Sequence, residues 1–190
     1  YQGEELGMTN YPFKTPADFH DIESINAYKE WCESGSLSHE IFWPCLTFTS
    51  RDNARTPVQW DDSQSAGFTT GTPWMPVNPN YKEINAKAEL QDPQSVFYYY
   101  QKLIQLRKEY PVVVYGKYQL LLPDDPDLFV YTRELEREKL LVVCNFSGKE
   151  QSIQLPEEFV NGKCLISNLP GQYDQQQVQL KPYEAFVLYR

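Results

Sequence analysis

"DPQSVFYYYQKLIQLRKEY", residues 92–110, runs into Pro111, and there the chain changes its hydrophobic period. Val96, Tyr100, Leu103, Ile104 and Arg107 recur at helical spacing, so the stretch reads as one long helix. Asp92 is placed to cap it with Pro93 at the first helical position, and Arg107 and Lys108 suit the negative end of its dipole. Pro111 stops it. Beyond lie eight short apolar runs, "VVVY", "YQLLL", "LFVYTRE", "KLLVVCNF", "QSIQL", "KCLIS", "QVQL" and "EAFVLYR". Pro123-Asp124-Asp125-Pro126, Ser147-Gly148, Asn161-Gly162 and Pro170-Gly171 separate several of them. Strands joined by turns at this spacing predict an antiparallel β-sandwich. The domain boundary is therefore set at 111, giving domains 1–111 and 112–190.

Upstream of the helix the text is looser. "ADFHDIESINAYKEWCE" (17–33) reads as a helix through Ile22, Ile25, Tyr28, Lys29 and Cys32. In "SHEIFWPCLTFTS" (38–50) Pro44 is expected to break a helix, and Thr47, Phe48 and Thr49 favour extended backbone. From 44 to 81 the chain carries Pro44, Pro57, Pro73, Pro76 and Pro79, yet Trp60, Phe68, Trp74 and Tyr81 argue against disorder. An ordered long loop is expected, with Trp60 and Trp74 as packing residues.

A net charge of −9 argues against nucleic acid, which demands clustered Lys and Arg. With four irregularly spaced cysteines and two histidines, no zinc site is expected, nor any other metal or cofactor. Reduced thiols suit a cytoplasmic protein. No apolar run approaches the ~20 residues of a membrane span, so neither membrane nor nucleic acid is expected as a partner. The chain opens on Tyr1 rather than Met, which points to a fragment.

"YQGEELGMTN", "DIES", "SRDNARTPVQWDDSQSAGFTTGTPW" and "VNPNYKEIN" occur in that order. Together they resemble the α-glucosidase branch of the alpha-amylase superfamily of glycoside hydrolases, over nearly the whole chain. The resemblance implies an α/β part followed by an all-β part: the end of a (β/α)8 barrel and a C-terminal antiparallel β-sandwich. "YQGEE" would end the eighth strand and 92–110 would be the last barrel helix. Family members usually run a helix into the arginine motif, from which 38–50 departs.

The family's retaining mechanism uses an Asp nucleophile and a Glu acid/base, carboxyls that retention sets about 5 Å apart. Both lie in motifs ahead of "YQGEE", so no catalytic residue is expected here and the chain alone should be inert. Glu4 and Glu5 would belong to the strand's structural end. Three residues match or adjoin substrate-facing positions. Arg51 matches the arginine that pairs with an Asp from an early barrel loop and binds the 4-hydroxyl of the non-reducing-end glucose. Glu23 matches a carboxylate beside the leaving-group sugar. Arg55 is the third candidate, read more as a brace for the loop than as a sugar contact.

The function implied is hydrolysis of a short α-glucoside by the complete enzyme. Trehalose-6-phosphate, giving glucose and glucose-6-phosphate, is preferred on the wording of "YGKYQLLLPDDPDLFVYTRE"; the alternative is an oligo-1,6-glucosidase acting on isomaltose-type sugars. A further alternative is a non-catalytic relative such as a transporter heavy chain, glycosylated at a sequon like Asn145-Phe146-Ser147. The only expected small-molecule partner is the sugar. The chain by itself is expected to self-associate or to need the missing barrel part.

Overall fold

The computed structural model describes residues 1–190, which form two compact units, Tyr1–Tyr100 and Gln101–Arg190. The first unit holds no strand. The strand end expected at "YQGEE" is instead a turn: Gly3 and Gly7 both adopt positive φ, Glu4–Leu6 winds as a 3-10 helix between them, and Met8 N–H returns to the Gly3 carbonyl. The two glycines supply the left-handed backbone that closes this turn, and its backbone groups are satisfied locally.

Helix α1, Ile22–Tyr28, begins after Asp21 rather than at residue 17. Asp21 accepts the Ser24 N–H, a standard cap, while Pro16–Asp18 forms a separate 3-10 turn that directs Phe19 into the core. The helix runs on into a wider π turn, Lys29–Glu33. Helix α2, His39–Thr49, corrects the expectation of extended chain over 38–50. Pro44 removes one intrahelical donor, but Leu46, Phe42 and Trp43 pack with Phe13, Phe19, Ile25 and Tyr28, and that burial outweighs the loss. Thr47 and Thr49 turn their hydroxyls back to the Trp43 and Cys45 carbonyls, so they are accommodated in the helix. The helix expected of the family is therefore present.

The stretch after α2 is irregular and ordered, because amide side chains pin its backbone. Buried Gln59 donates to Asn80 Oδ1 and the Ile84 carbonyl, buried Asn78 to the Thr9 and Asn10 carbonyls, and Gln2 to the Thr56 carbonyl. Trp60 and Trp74 do not pack as expected; they are 54% and 57% exposed. Helix α3, Ala86–Glu89, is capped by Asn85.

Helix α4, Val96–Glu109, starts later than Asp92. Asp92 closes a turn, accepting from Gln94 N–H at its carboxylate and from Ser95 N–H at its carbonyl. The Glu89 carboxylate takes the Phe97 N–H in its place. On the predicted apolar face Val96, Leu103 and Ile104 are exposed; the buried residue of α4 is Leu106, which lies outside that face.

In the second unit "VVVY" is helical, not extended: Pro111–Tyr115 forms α5. Pro111 at its first position has the right φ, Val112 is fully buried, and Arg133 donates to the carbonyls of Val112, Val114 and Gly116. Tertiary packing thus overrides the strand preference of three valines. At Gly116 a Cβ would lie 2.5 Å from the Val112 carbonyl oxygen, so only glycine fits the exit.

The other seven runs are strands: β1 Lys117–Leu120, β2 Leu128–Leu135, β3 Glu138–Asn145, β4 Gln151–Gln154, β5 Lys163–Ser167, β6 Gln177–Leu180 and β7 Ala185–Tyr189. An antiparallel five-stranded sheet, ordered β1-β2-β3-β7-β5, faces a β4-β6 pair. Alternate residues Leu128 and Val130, Leu141 and Val143, Phe186 and Leu188 meet Ile153, Val178, Leu180 and Phe159 between the sheets. Asn145, of the sequon, is buried and bonded to the Lys149 and Lys181 carbonyls, a structural role that leaves no room for a glycan. No helix is long and apolar enough to cross a membrane.

Candidate functional site

The site is built where α2 ends. Ser50 leaves the helix in extended backbone and its hydroxyl caps the 3-10 turn Arg51–Ala54. That turn sends Asp52 and Asn53 inward and Arg51 outward. Asn53 accepts the Tyr11 N–H and donates to the Thr47 carbonyl.

Asp52, wholly buried, crosses to the start of α1. Its Oδ2 accepts the N–H of His20 at 2.7 Å and of Asp21 at 2.9 Å. Asp21, also buried, caps α1, and the Ser24 hydroxyl in that first turn lies near 3 Å from both Asp21 Oδ2, to which it donates, and Ser50 Oγ. Glu23 stands in the same turn and projects to the surface.

The three residues nominated from sequence meet at this junction. Arg51 Nη2 lies 2.7 Å from Glu23 Oε2, and both side chains are about two-thirds exposed. Arg55 Nη1 lies 3.6 Å from Asp21 Oδ1 and 3.9 Å from Asp52 Oδ1, its guanidinium half exposed. A cavity of about 150 Å³ opens beside them between α1 and α2, lined by Glu23, Ser24, Phe42, Cys45, Thr49 and Arg51. Two guanidiniums face three carboxylates, so the locality is slightly acidic.

Exposed, charge-assisted donors and acceptors side by side suit hydroxyl recognition. The carboxylates here are salt-paired or capping. Glu4 is likewise engaged, accepting the Tyr100 hydroxyl at 2.6 Å, which raises that phenol's pKa. No group of three or more His, Cys, Asp or Glu is placed to hold a metal ion. Sequence reasoning missed Asp21 and Asp52. Asp21 had a signal, an Asp three residues before Ser at a helix start; Asp52 had only its place between two arginines.

The chain as a whole is similar to known proteins. The family description "Alpha amylase, catalytic domain" matches residues 1–116, and "Alpha-amylase SusG C-terminal domain" matches residues 128–187. The chain belongs to the alpha-amylase family, carrying the end of the catalytic domain and the C-terminal domain behind it. It is 51% identical to an oligo-1,6-glucosidase of Parageobacillus thermoglucosidasius over 191 residues, covering 98% of this chain and 34% of that protein. It is 48% identical to a trehalose-6-phosphate hydrolase of Bacillus subtilis (strain 168), with the same coverage. An isomaltulose synthase from Erwinia rhapontici NX5, solved with its natural substrate sucrose, superposes with a TM-score of 0.91 at 44% identity, over 100% of this chain and 34% of that one. The chain thus spans about a third of the length of the relatives it matches.

Proposed function

We propose that the whole protein to which this chain contributes is a retaining, exo-acting α-glucosidase for short α-glucosides. The observation that carries the reading is the solvent-facing Arg51–Glu23 pair, displayed from two separate segments at the edge of a cavity. In this reading Arg51 donates to the 4-hydroxyl of the non-reducing-end glucose and holds a carboxylate from the preceding barrel, its planar fork reaching both. Glu23 accepts from hydroxyls of the sugar on the leaving-group side. Arg55 braces the loop through Asp21 and Asp52. The nucleophile and the acid/base come from barrel segments ahead of Tyr1. Residues 1–111 belong to the barrel and 112–190 to the sandwich, and the enzyme works in the cytoplasm.

Two substrates are supported by different features. Trehalose-6-phosphate draws on the wording of the β1–β2 hairpin and on the 48% identical hydrolase. Isomaltose-type sugars draw on the 51% identical oligo-1,6-glucosidase and on a locality with no excess of cations to meet a phosphate. The test is to extend the reading frame upstream, purify the complete protein and assay both sugars side by side. Faster cleavage of the phosphorylated sugar selects the first and faster cleavage of isomaltose the second; turnover of neither ends the glucosidase reading.

A further inference from the structure

We infer that Asp52 is the positioning residue that holds Arg51 and Glu23 opposite one another; its consequence for catalysis rests on the glucosidase reading above. The inference starts from an anomaly. A carboxylate with no exposed surface is costly unless it is well paired, yet one Asp52 oxygen, Oδ1, has no hydrogen-bond partner and faces only the Arg55 guanidinium at 3.9 Å. A residue kept for stability alone would be better replaced by a neutral acceptor.

What the carboxylate does is geometric. Asp52 follows Arg51 directly, and in a 3-10 turn of four residues one side chain cannot point inward without fixing where its neighbour points. Oδ2 takes the backbone N–H of both residues that precede α1. The position of the first turn of α1, and so of Glu23, is thereby set from the residue next to Arg51. The Ser24–Ser50 hydroxyl contact ties the same two segments a second time. Arg55 Nη1, shared between Asp21 Oδ1 at 3.6 Å and Asp52 Oδ1 at 3.9 Å, ties the two segments to a single cation. Arg51 and Glu23 have little else to fix them, being two-thirds exposed.

Two experiments test this. In the complete protein, Asp52→Ala and Arg51→Ala are made singly and together and assayed on p-nitrophenyl α-glucoside. Misplacing a binding group by about 1 Å can cost about a hundredfold, so Asp52→Ala is expected to lower kcat/KM by that order, chiefly through KM. In the Arg51→Ala background it should cost almost nothing more, because the two act through one contact. Equal losses in both backgrounds would show an effect independent of Arg51 and overturn the proposal. If the alanine variant does not fold, Asp52→Asn, which keeps the shape and one acceptor oxygen, is expected to show a smaller loss with the same non-additivity.

The second experiment needs no activity. In the 190-residue chain the His20 and Asp21 amides should exchange their protons faster in Asp52→Ala and at the parent rate in Arg51→Ala. Unchanged exchange in Asp52→Ala overturns the proposal whether or not the enzyme turns over. Failure of the glucosidase reading looks different: no turnover by the parent protein, with the exchange pattern as expected.

Discussion

Arg51 Nη2 lies 2.7 Å from Glu23 Oε2 while both side chains stay open to water. An ion pair so exposed contributes about 0–1 kcal/mol to folding, so stability does not account for its placement. Arg51→Ala should therefore shift the unfolding free energy of this chain by less than about 0.5 kcal/mol while lowering kcat/KM of the complete protein by about a hundredfold, chiefly through KM, with turnover still measurable. Urea unfolding and steady-state kinetics on the same variant check the two halves. A large stability loss with turnover intact would make the pair structural.

Arg55 should behave in the opposite sense. Its removal leaves Asp21 and Asp52 buried without a cation. Breaking a fully buried pair costs about 3–5 kcal/mol; with the guanidinium half exposed, Arg55→Ala is expected to lose less, about 1–2 kcal/mol. Arg55→Lys should recover most of that, since one nitrogen, Nη1, meets both carboxylates and an ammonium also presents its donors from a single nitrogen. Shifts in the urea midpoint measure both variants.

The contrast between these arginines marks how far the sequence could be read. Strand existence was legible wherever alternation and turn residues agreed, as from "LFVYTRE" to "EAFVLYR". It failed at "VVVY", where the deciding residue, Arg133, lies in a different strand. Helix α2 was missed because Pro44 and the threonines argue locally, whereas Phe13 and Phe19, which hold that helix, lie far upstream. Asp92 offered an apparent cap, and the real one, Glu89, sits on the preceding helix. At the candidate site, Arg51, Glu23 and Arg55 were nominated through motif wording. The Asp52 contact to His20 and Asp21 spans some thirty residues, and local pattern carries no record of such a bond.

Arg133 gives a test inside the second unit. It bonds three carbonyls around the end of α5, at 3.2, 3.1 and 2.7 Å. Hydrogen bonds from a charged group contribute about 1.5–3 kcal/mol, so Arg133→Ala should destabilise this unit by about 2 kcal/mol. Arg133→Lys should restore less than half, because one ammonium cannot span three carbonyls. Amide exchange at Gly116 and circular dichroism in denaturant follow the change.

Exposed apolar side chains predict how the 190-residue chain behaves alone. Ile22, Ile41 and Phe48 are 68%, 68% and 77% exposed, and Leu103 and Ile104 on α4 are also open. Large apolar side chains this exposed favour association. Light scattering should give a mass well above the 22.2 kDa of one chain, falling when Phe48→Ser and Ile41→Ser are combined. A monomer at all concentrations would contradict this.

Tyr173 should make the second unit alkali-sensitive. Its ring stacks on Phe186 with centroids 4.0 Å apart, and its hydroxyl donates to buried Glu184 Oε1 at 2.7 Å. Burial pushes the phenol far above the ordinary 10.0; the Ser167 hydroxyl pulls it back, and the Glu184 carboxylate adds to the rise. The folded state thus keeps a proton that the unfolded chain releases from pH 10.0 upward. The associated stability is complete below that pH and is lost above it, at up to about 1.36 kcal/mol per pH unit. Tyr173→Phe should be less stable at neutral pH by about 1–2 kcal/mol, since Glu184 loses a buried donor, and its stability should fall less steeply above pH 10. Part of the slope should survive, because burial also raises Tyr131. Denaturant midpoints for both proteins between pH 7 and 11 decide it: parallel curves would mean that Tyr173 does not carry the sensitivity.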